Sequence, residues 1–329
     1  IIDNKFRATD ANVGHAGTID LFKLYAESIS GSDTSPRELS RGLIKFDLQP
    51  LYNLTASSLD IGSSTFEVKL KMYDLLGGQA TPSGFNLVVY PLSKSFDEGI
   101  GRDVAAFGDL DACNFITASY ADGSTNLWAV SGANSSGLLS SSNIDFITSG
   151  NLGAGIVDLG KSQKFIKGNE DLNVNVTNVI SASLAGVMDN HGFRISFSGS
   201  EETDNKTRFV KRFASRHSSN QLKVPQLHVS WDDSLTDHHN DFIFNVSGSL
   251  FFNNFQRGAR ANLVSGSSAT EISGDDCIIL KLQKGDFSQY ITGSQHKAGT
   301  DSTAISGLYS ASFIIDLHST KKVNTKTNT

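Results

Sequence analysis

Alternation of apolar and polar positions dominates this chain, and the helical period is rare. In segment 43–48, Ile44, Phe46 and Leu48 share one side. Phe66, Val68, Leu70 and Met72 face away from Glu67, Lys69 and Lys71, and segments 85–90, 174–176, 193–197 and 227–231 continue the pattern. A period of two marks half-buried strands, and many short ones separated by polar turns predict an antiparallel sandwich. Ile19, Leu21 and Leu24 open the first apolar segment.

One stretch departs from this. In residues 177–188 the apolar positions Val179 or Ile180, Leu184, and Val187 or Met188 recur every three to four, which predicts a short amphipathic helix with Thr177 as its N-cap. Gly192 then ends the connection into the strand at Phe193. Residues 232–241 are polar and acidic between two apolar strands, and strands restart at 242–246, 250–252, 277–282 and 308–315. The expected fold is all-β: a large antiparallel, jelly-roll-like sandwich over 1–233 with one short helix, a linker at 234–241, and a small Ig-like β-sandwich over 242–320. A polar tail or linker follows at 321–329. The longest irregular region, 96–150, reads as a large loop insertion, which Phe115 and Trp128 would fold down onto the frame.

Composition narrows the class. The 329 residues are 38% hydrophobic and 19% charged with a net charge of −6, and they include 30 Gly. That favours turn-dense β structure and argues against a coiled coil, a disordered chain or a basic nucleic-acid binder. No apolar run is long enough for a membrane-spanning helix. Cys113 and Cys277 lack any CxxC or histidine spacing, so neither a zinc site nor a disulfide framework is expected. Two unpaired buried thiols are the reading, with a single long-range bridge left open.

Several motifs resolve into ordinary structure. Gly155, Gly160, Lys161 and Ser162 match the phosphate-loop pattern letter for letter, but the intervening residues read as strand and a poor helix start follows, so the segment is a strand ending in a turn. In 237–241, His238 and His239 point to opposite sides of an extended chain and cannot easily share an ion, which leaves a linker. Asp97, Glu98, Asp103, Asp109 and Asp111 form an acidic loop with oxygen ligands for calcium, yet without EF-hand spacing. The one concentrated basic segment, 208–216, reads as a hairpin arm with charge pairing. Its Arg208, Lys211, Arg212 and Arg216 are the candidates for contact with an acidic partner, and alternation puts Phe209, Lys211 and Phe213 on one face. Glu201 and Glu202 cannot be called catalytic without a cleft, and no nucleophile or metalloprotease signature is present. No catalytic, cofactor or metal residues are assigned.

The ordered series Arg41–Leu48, Val68–Tyr73, Val89–Leu92 with Phe96–Gly99, Val174–Val179, Gly192–Phe197 and Pro225–Trp231 resembles the DNRLRE-type domain, a β-sandwich related to carbohydrate-binding modules. The resemblance covers about residues 1–233, with Phe96 standing where that family usually has Trp. Segments 193–213 and 241–250 are similar to virion structural proteins of tailed bacteriophages, especially those of marine and cyanobacterial hosts. The resemblance implies a non-enzymatic virion protein that assembles with copies of itself and other virion proteins, without nucleic-acid or membrane partners and without a cofactor. Recognition of host glycans is the alternative, with Tyr90, Tyr120 and Trp128 as its aromatic candidates. A polysaccharide hydrolase is a more distant third reading.

Overall fold

The computed structural model describes residues 11–27, 37–56, 58–76, 81–102, 112–121, 123–153, 155–300 and 302–316. The chain is all-β, with 43% strand and 8% helix. It divides into two units, one built from Ile1–Leu48 and Glu67–Ser230, the other from Gln49–Phe66 and Trp231–Thr329. The second unit is thus assembled from two separated stretches, a discontinuity that strand periodicity does not register.

In the first unit, one layer is the sheet β11 (Lys161–Phe165), β5 (Phe85–Pro91), β13 (Phe193–Phe197), β3 (Gly42–Ile44), in that order. The other layer joins β14 (Arg208–Ala214), β1 (Thr18–Tyr25), β2 (Arg37–Leu39) to β12 (Leu172–Asn175), β4 (Glu67–Met72), β15 (Gln226–Ser230) through a bridge between Asp74 and Phe213. The alternation in β4 is realised cleanly, with Val68, Leu70 and Met72 fully buried. Phe85, Leu87 and Val89 of β5 meet Phe193, Ile195 and Phe197 of β13 in the core. Phe85 stacks on Phe165 at 5.0 Å, and Phe165 meets Phe213 of the opposite layer edge-on at 6.3 Å.

The strand β13 is buried on both faces, not one. Its outer face lies under β9 (Phe146–Asn151), whose Phe146 ring sits 4.7 Å from the Arg194 guanidinium. The sheet β10 (Ile156–Asp158), β9, β8 (Ser136–Leu138) contains one parallel pair, β8 with β9. The hairpin β6 (Thr117–Ala121), β7 (Ser124–Leu127) precedes it. Trp128 is buried with Leu92, Cys113, Ala118 and Ala133, whereas Phe115 remains 40% exposed. The described part of the insertion therefore has its own small core. Asp145, wholly buried, ties it together by accepting the backbone N–H groups of Ala129, Val130 and Ser135 at 2.6, 3.0 and 2.8 Å.

Three short helices stand where periodicity predicts one: α1 (Gln49–Thr55), α2 (Thr177–Leu184) and α3 (Gly199–Thr203). The predicted helix α2 is shorter than 177–188. Gly186, at φ +69°, donates to the Ser183 carbonyl, and Val187 donates to that of Ala182. This is a Schellman stop, which the left-handed conformation of glycine permits. Thr177 is not the N-cap, a place taken by Val176; its hydroxyl instead accepts the Val68 N–H at 2.8 Å and fastens the helix to β4. The phosphate-loop-like stretch is strand, turn, strand, since β10 and β11 flank Gly160. Both cysteines are free: Cys113 is buried and Cys277 half-buried. Burial, and then the charge of Asp97, push the Cys113 thiol up to about 12.

The second unit is centred on the antiparallel sheet β16 (Gly248–Asn253), β23 (Thr303–Phe313), β22 (Phe287–Ala298), β21 (Ile278–Lys284). One face packs Leu250, Ile291, Ala311 and Phe313 against Phe252, Leu280 and Leu282. Two small ladders, β17 (Phe255–Gln256) with β18 (Ala259–Arg260) and β19 (Val264–Ser265) with β20 (Thr270–Glu271), cap it. The buried Tyr309 hydroxyl anchors this region, accepting Leu263 N–H at 2.9 Å and donating to the Ile272 carbonyl at 2.6 Å. The stretch 49–66 joins through Leu59, whose carbonyl accepts the Thr300 N–H at 3.0 Å.

Lys211 of β14 is a charged residue in the first unit's interior. It is wholly buried between the Phe165 and Phe213 rings, at 5.0 and 4.6 Å from their centroids. Its ammonium donates to the Asp74 carboxylate and to the carbonyls of Gly168 and Glu170 at 2.9 and 2.8 Å. Asp74→Ala leaves that charge without its counter-ion, so chemical denaturation should report a loss of about 3–5 kcal/mol. Adding Lys211→Met to Asp74→Ala should recover part of the loss; a double variant less stable than Asp74→Ala would contradict the pairing.

Candidate functional site

The four basic residues of 208–216 do not form a common surface. Arg208 is 8% exposed and Lys211 fully buried, so neither offers its charge to a partner. Three residue steps of β14 (208 to 211) span the same length as two of β1 (23 to 21), because Lys23 pairs with Arg208 and Leu21 with Lys211. This bulge breaks the alternation and puts Phe209 outward, 41% exposed, while Lys211 and Phe213 point inward. Arg212 lies half-buried in a two-bond pair with Asp20, at 2.8 and 2.6 Å. Only Arg216 of the four stays largely exposed, its side chain paired with Glu98.

Arg208 belongs to a second brace. It grips Asp204 with both terminal nitrogens, at 2.9 and 2.6 Å, and also donates to the Glu201 carbonyl at 3.0 Å. The buried Lys23 ammonium reaches the same Asp204 carboxylate and the Glu201 carbonyl. The two carboxylates weighed for catalysis are likewise occupied. Glu201 accepts the Asn86 N–H and the Ser198 hydroxyl, and Glu202 holds Arg41 at 2.9 and 2.8 Å. Behind Glu202, Arg194 is 3% exposed, and burial followed by the nearby charge of Arg41 brings its guanidinium down to about 10.

The glycan candidates do not converge on a platform. Trp128 is 6% exposed, with its indole N–H given to the Asn114 carbonyl at 3.0 Å, so it is a core residue. Tyr90 is half-buried against the Phe146 ring at 4.9 Å. Tyr120 alone of the three is exposed, at 40%. In the acidic loop, Asp97 accepts the Tyr120 N–H at 2.6 Å, and Asp103, Asp109 and Asp111 lie outside the described residues. His238 and His239 lie on the edge of β16: His238 exchanges bonds with Ser249, and the His239 ring meets Phe252 at 5.2 Å.

A cluster that the sequence does not announce forms around Arg216. His15, Glu98 and His217 bring one ligand atom each within 4.8 Å of one another, and no second such group of three occurs among the described residues. The imidazole rings of His15 and His217 lie 4.5 Å apart. Arg216 donates from both guanidinium sides to the Glu98 carboxylate, and its Nε also donates to His217 Nε2 at 3.2 Å. Three chain segments are held in place to make this. Asn12 donates to the Cys113 carbonyl at 2.6 Å and accepts the Gly14 N–H at 2.8 Å, while His15 N–H reaches the Gly101 carbonyl at 3.0 Å. A Cβ on Gly14 would come within 1.7 Å of the Glu98 carbonyl oxygen, so only glycine allows this approach. Ser215 donates to the Ala16 carbonyl and accepts His217 N–H at 3.0 Å, which fixes the turn after β14. Positions 15, 98 and 217 are too far apart in sequence for spacing to reveal them; the signal available is the pairing of β1 with β14, which brings residues 15–17 beside 215–217.

The second unit presents a different surface. Phe242, Ile243, Phe244 and Val246 are 43, 71, 40 and 51% exposed within five positions. Asn245 N–H bonds to the Ile315 carbonyl at 3.0 Å, which holds this strip along the end of β23. At the far side of the sheet, β21 is an edge strand with Ile279 72% exposed, and on the same face of its neighbour β22, Tyr290 is 67% exposed.

No family model and no curated protein matches this chain.

The brace at Asp204 carries a pH consequence. The Arg208 hydrogen bonds, aided by Lys23 and opposed by burial, hold its carboxyl well below the usual carboxylate range. The folded state therefore binds fewer protons here than the unfolded one. That stabilisation is complete above the ordinary aspartate value of about 3.9 and is lost as pH falls below it. Asp204→Asn should lower stability at neutral pH and flatten its decline below about pH 4, measured by denaturation at a series of pH values; an unchanged acid slope would contradict the assignment.

Proposed function

We propose that this protein is a non-enzymatic structural component of a bacteriophage virion that acts through contacts with copies of itself and with neighbouring virion proteins. The observation that carries this reading is the exposed apolar strip of the second unit, Phe242, Ile243, Phe244 and Val246. Apolar side chains scattered singly over a surface are ordinary, but a contiguous run of them marks a contact surface. The edge strand β21, with Ile279 exposed, adds a row of backbone groups suited to pairing with another chain. The first unit supports the same reading by what its charged groups do. Glu201, Glu202, Asp204 and Asp74 are each bonded to neighbours within the fold, an arrangement that serves rigidity. The resemblance of 193–213 and 241–250 to virion proteins of tailed phages supplies the setting. Glycan recognition is not carried forward, because one exposed ring, Tyr120, is left of its three.

Sedimentation of the full chain across a concentration series tests the proposal, with mass spectrometry of purified particles as its second arm. Self-association is expected, and Ile243→Lys with Val246→Lys should weaken it without loss of thermal stability, since both side chains are exposed. A chain that stays monomeric at all concentrations and is absent from particles would overturn the reading.

A further inference from the structure

From the cluster on the first unit we infer that His15, Glu98 and His217 form a binding site for a divalent transition-metal ion, with zinc as the ion of choice, which clamps three chain segments together. Two imidazoles and one carboxylate are a ligand set suited to zinc and its neighbours; calcium and magnesium prefer oxygen donors throughout. A tetrahedral ion with bonds of about 2.0–2.2 Å places its ligands roughly 3.3 Å apart. The three ligand atoms lie within 4.8 Å of one another, so closing on an ion needs a shift of about 1.5 Å or less, within reach of side-chain rotation. Their backbones are already fixed by the Gly14–Glu98 approach, the His15–Gly101 bond and the Ser215 hydroxyl.

The Arg216 guanidinium marks where the ion goes. Its Nε bridges the Glu98 carboxylate and His217 Nε2, which is how a cation binds an anionic oxygen and an imidazole lone pair together. His217 Nε2 accepts that bond, and an accepting nitrogen is the state a metal requires. The Arg216 side chain is 66% exposed and can turn into solvent when an ion takes its contacts. Arginine is thus a competitor for the site and not a ligand, which gives the site a test that simple loss of fold cannot imitate. Three protein ligands leave a fourth position for water or for a donor from another molecule, the pattern of an open zinc site. The inference is independent of the virion reading, since it rests on the first unit alone.

The experiment is equilibrium dialysis of the full chain against zinc with metal analysis, together with thermal unfolding and visible absorption of the cobalt form. One equivalent of zinc should bind, and Tm should rise with the logarithm of free zinc once the site is saturated, because an ion held only by the folded state stabilises it by mass action. Cobalt should give the visible bands of a low-coordinate site. Arg216→Ala should tighten zinc binding by removing the competing charge. His217→Ala and His15→Ala should each weaken it by more than about 100-fold, beyond what loss of a supporting residue costs. The proposal is overturned if neither the natural chain nor Arg216→Ala takes up one equivalent. It is equally overturned if uptake survives both histidine substitutions, which would place the metal elsewhere, as on His238 or His239. Thermal unfolding without zinc shows whether each histidine variant remains folded, and Arg216→Ala leaves every ligand in place.

Discussion

The first unit depends on cations buried in its β1–β14 layer. Lys23 and Lys211 are wholly buried, and Arg208 nearly so. A bare ammonium inside a protein costs several kcal/mol, so each of these strands is stable only if the fold delivers a carboxylate and carbonyl groups to the same point. Asp204 comes from the turn after α3, Asp74 from the end of β4, and the carbonyls of Gly168 and Glu170 from the turn after β11. Segments remote in sequence are thereby compelled to meet. Burial of one face already fixes the register of these strands, since a slip of one residue would turn every inward side chain outward, and the buried charges add fixed partners at named points. The same layer carries Arg212–Asp20 and Arg216–Glu98 on its outer side, so β14 fixes the N-terminal segment and the loop at 97–102 together.

How much of this was legible in the sequence follows from what periodicity can express. Val68, Leu70 and Met72, or Phe85, Leu87 and Val89, are inward because they alternate and are apolar, and alternation is a local property. Lys211 and Lys23 are inward for a reason that is not local: each fills a place whose compensating groups arrive from elsewhere. A basic run on a strand therefore reads as a surface when its counter-ions are out of view. The bulge opposite Leu21 and Lys23 compounds the error by shifting Phe209 out of phase with Lys211. Trp128 shows the converse. Its size and the length of the loop around it indicated a fold-down, and it is buried, yet the hub that organises that loop is Asp145, an acidic residue that looks like any other in a polar stretch. The membership of 49–66 in the second unit was illegible for the same reason, since its ties are non-local: Thr300 bonds to Leu59 and Ile61, and Asp232 N–H bonds to the Thr65 hydroxyl.

The histidine–glutamate cluster is a consequence of the braces and not an addition to them. His217 lies three residues beyond the end of β14 and His15 three before the start of β1, so antiparallel pairing of Thr18 with Ala214 sets them side by side. Glu98 reaches them because the backbone of Gly14 touches it without a side chain between. Each ligand thus sits on a segment immobilised by bonds that have nothing to do with a metal, which is the condition for a site whose ordering cost is met in folding. Asp97 is engaged with the Tyr120 N–H, while its neighbour Glu98 points to the histidines, as adjacent residues on extended chain must.

Both units expose apolar side chains, Ile156 and Leu222 in the first and Ile243 and Ile279 in the second, and they differ in how they hold charge. The first unit turns charged groups inward and secures them, which makes it stiff and leaves few unpaired charges on its β14 side. The second unit keeps a simple one-faced core and leaves Ile243, Val246, Ile279 and Tyr290 in water. Exposing such side chains costs free energy at about 25 cal/mol per Å² of apolar area, and that cost is recovered only when another surface covers them. An edge strand alone would invite indiscriminate pairing, but Lys281 and Lys284 on β21 restrain it, since charge on an edge opposes stacking of identical copies. The strip at 242–246 carries no lysine, and Asp241 stands at its start. Under the proposed assembly role, contact through the strip, with β21 left to a partner that can neutralise its lysines, would give a directional interface in place of open-ended aggregation.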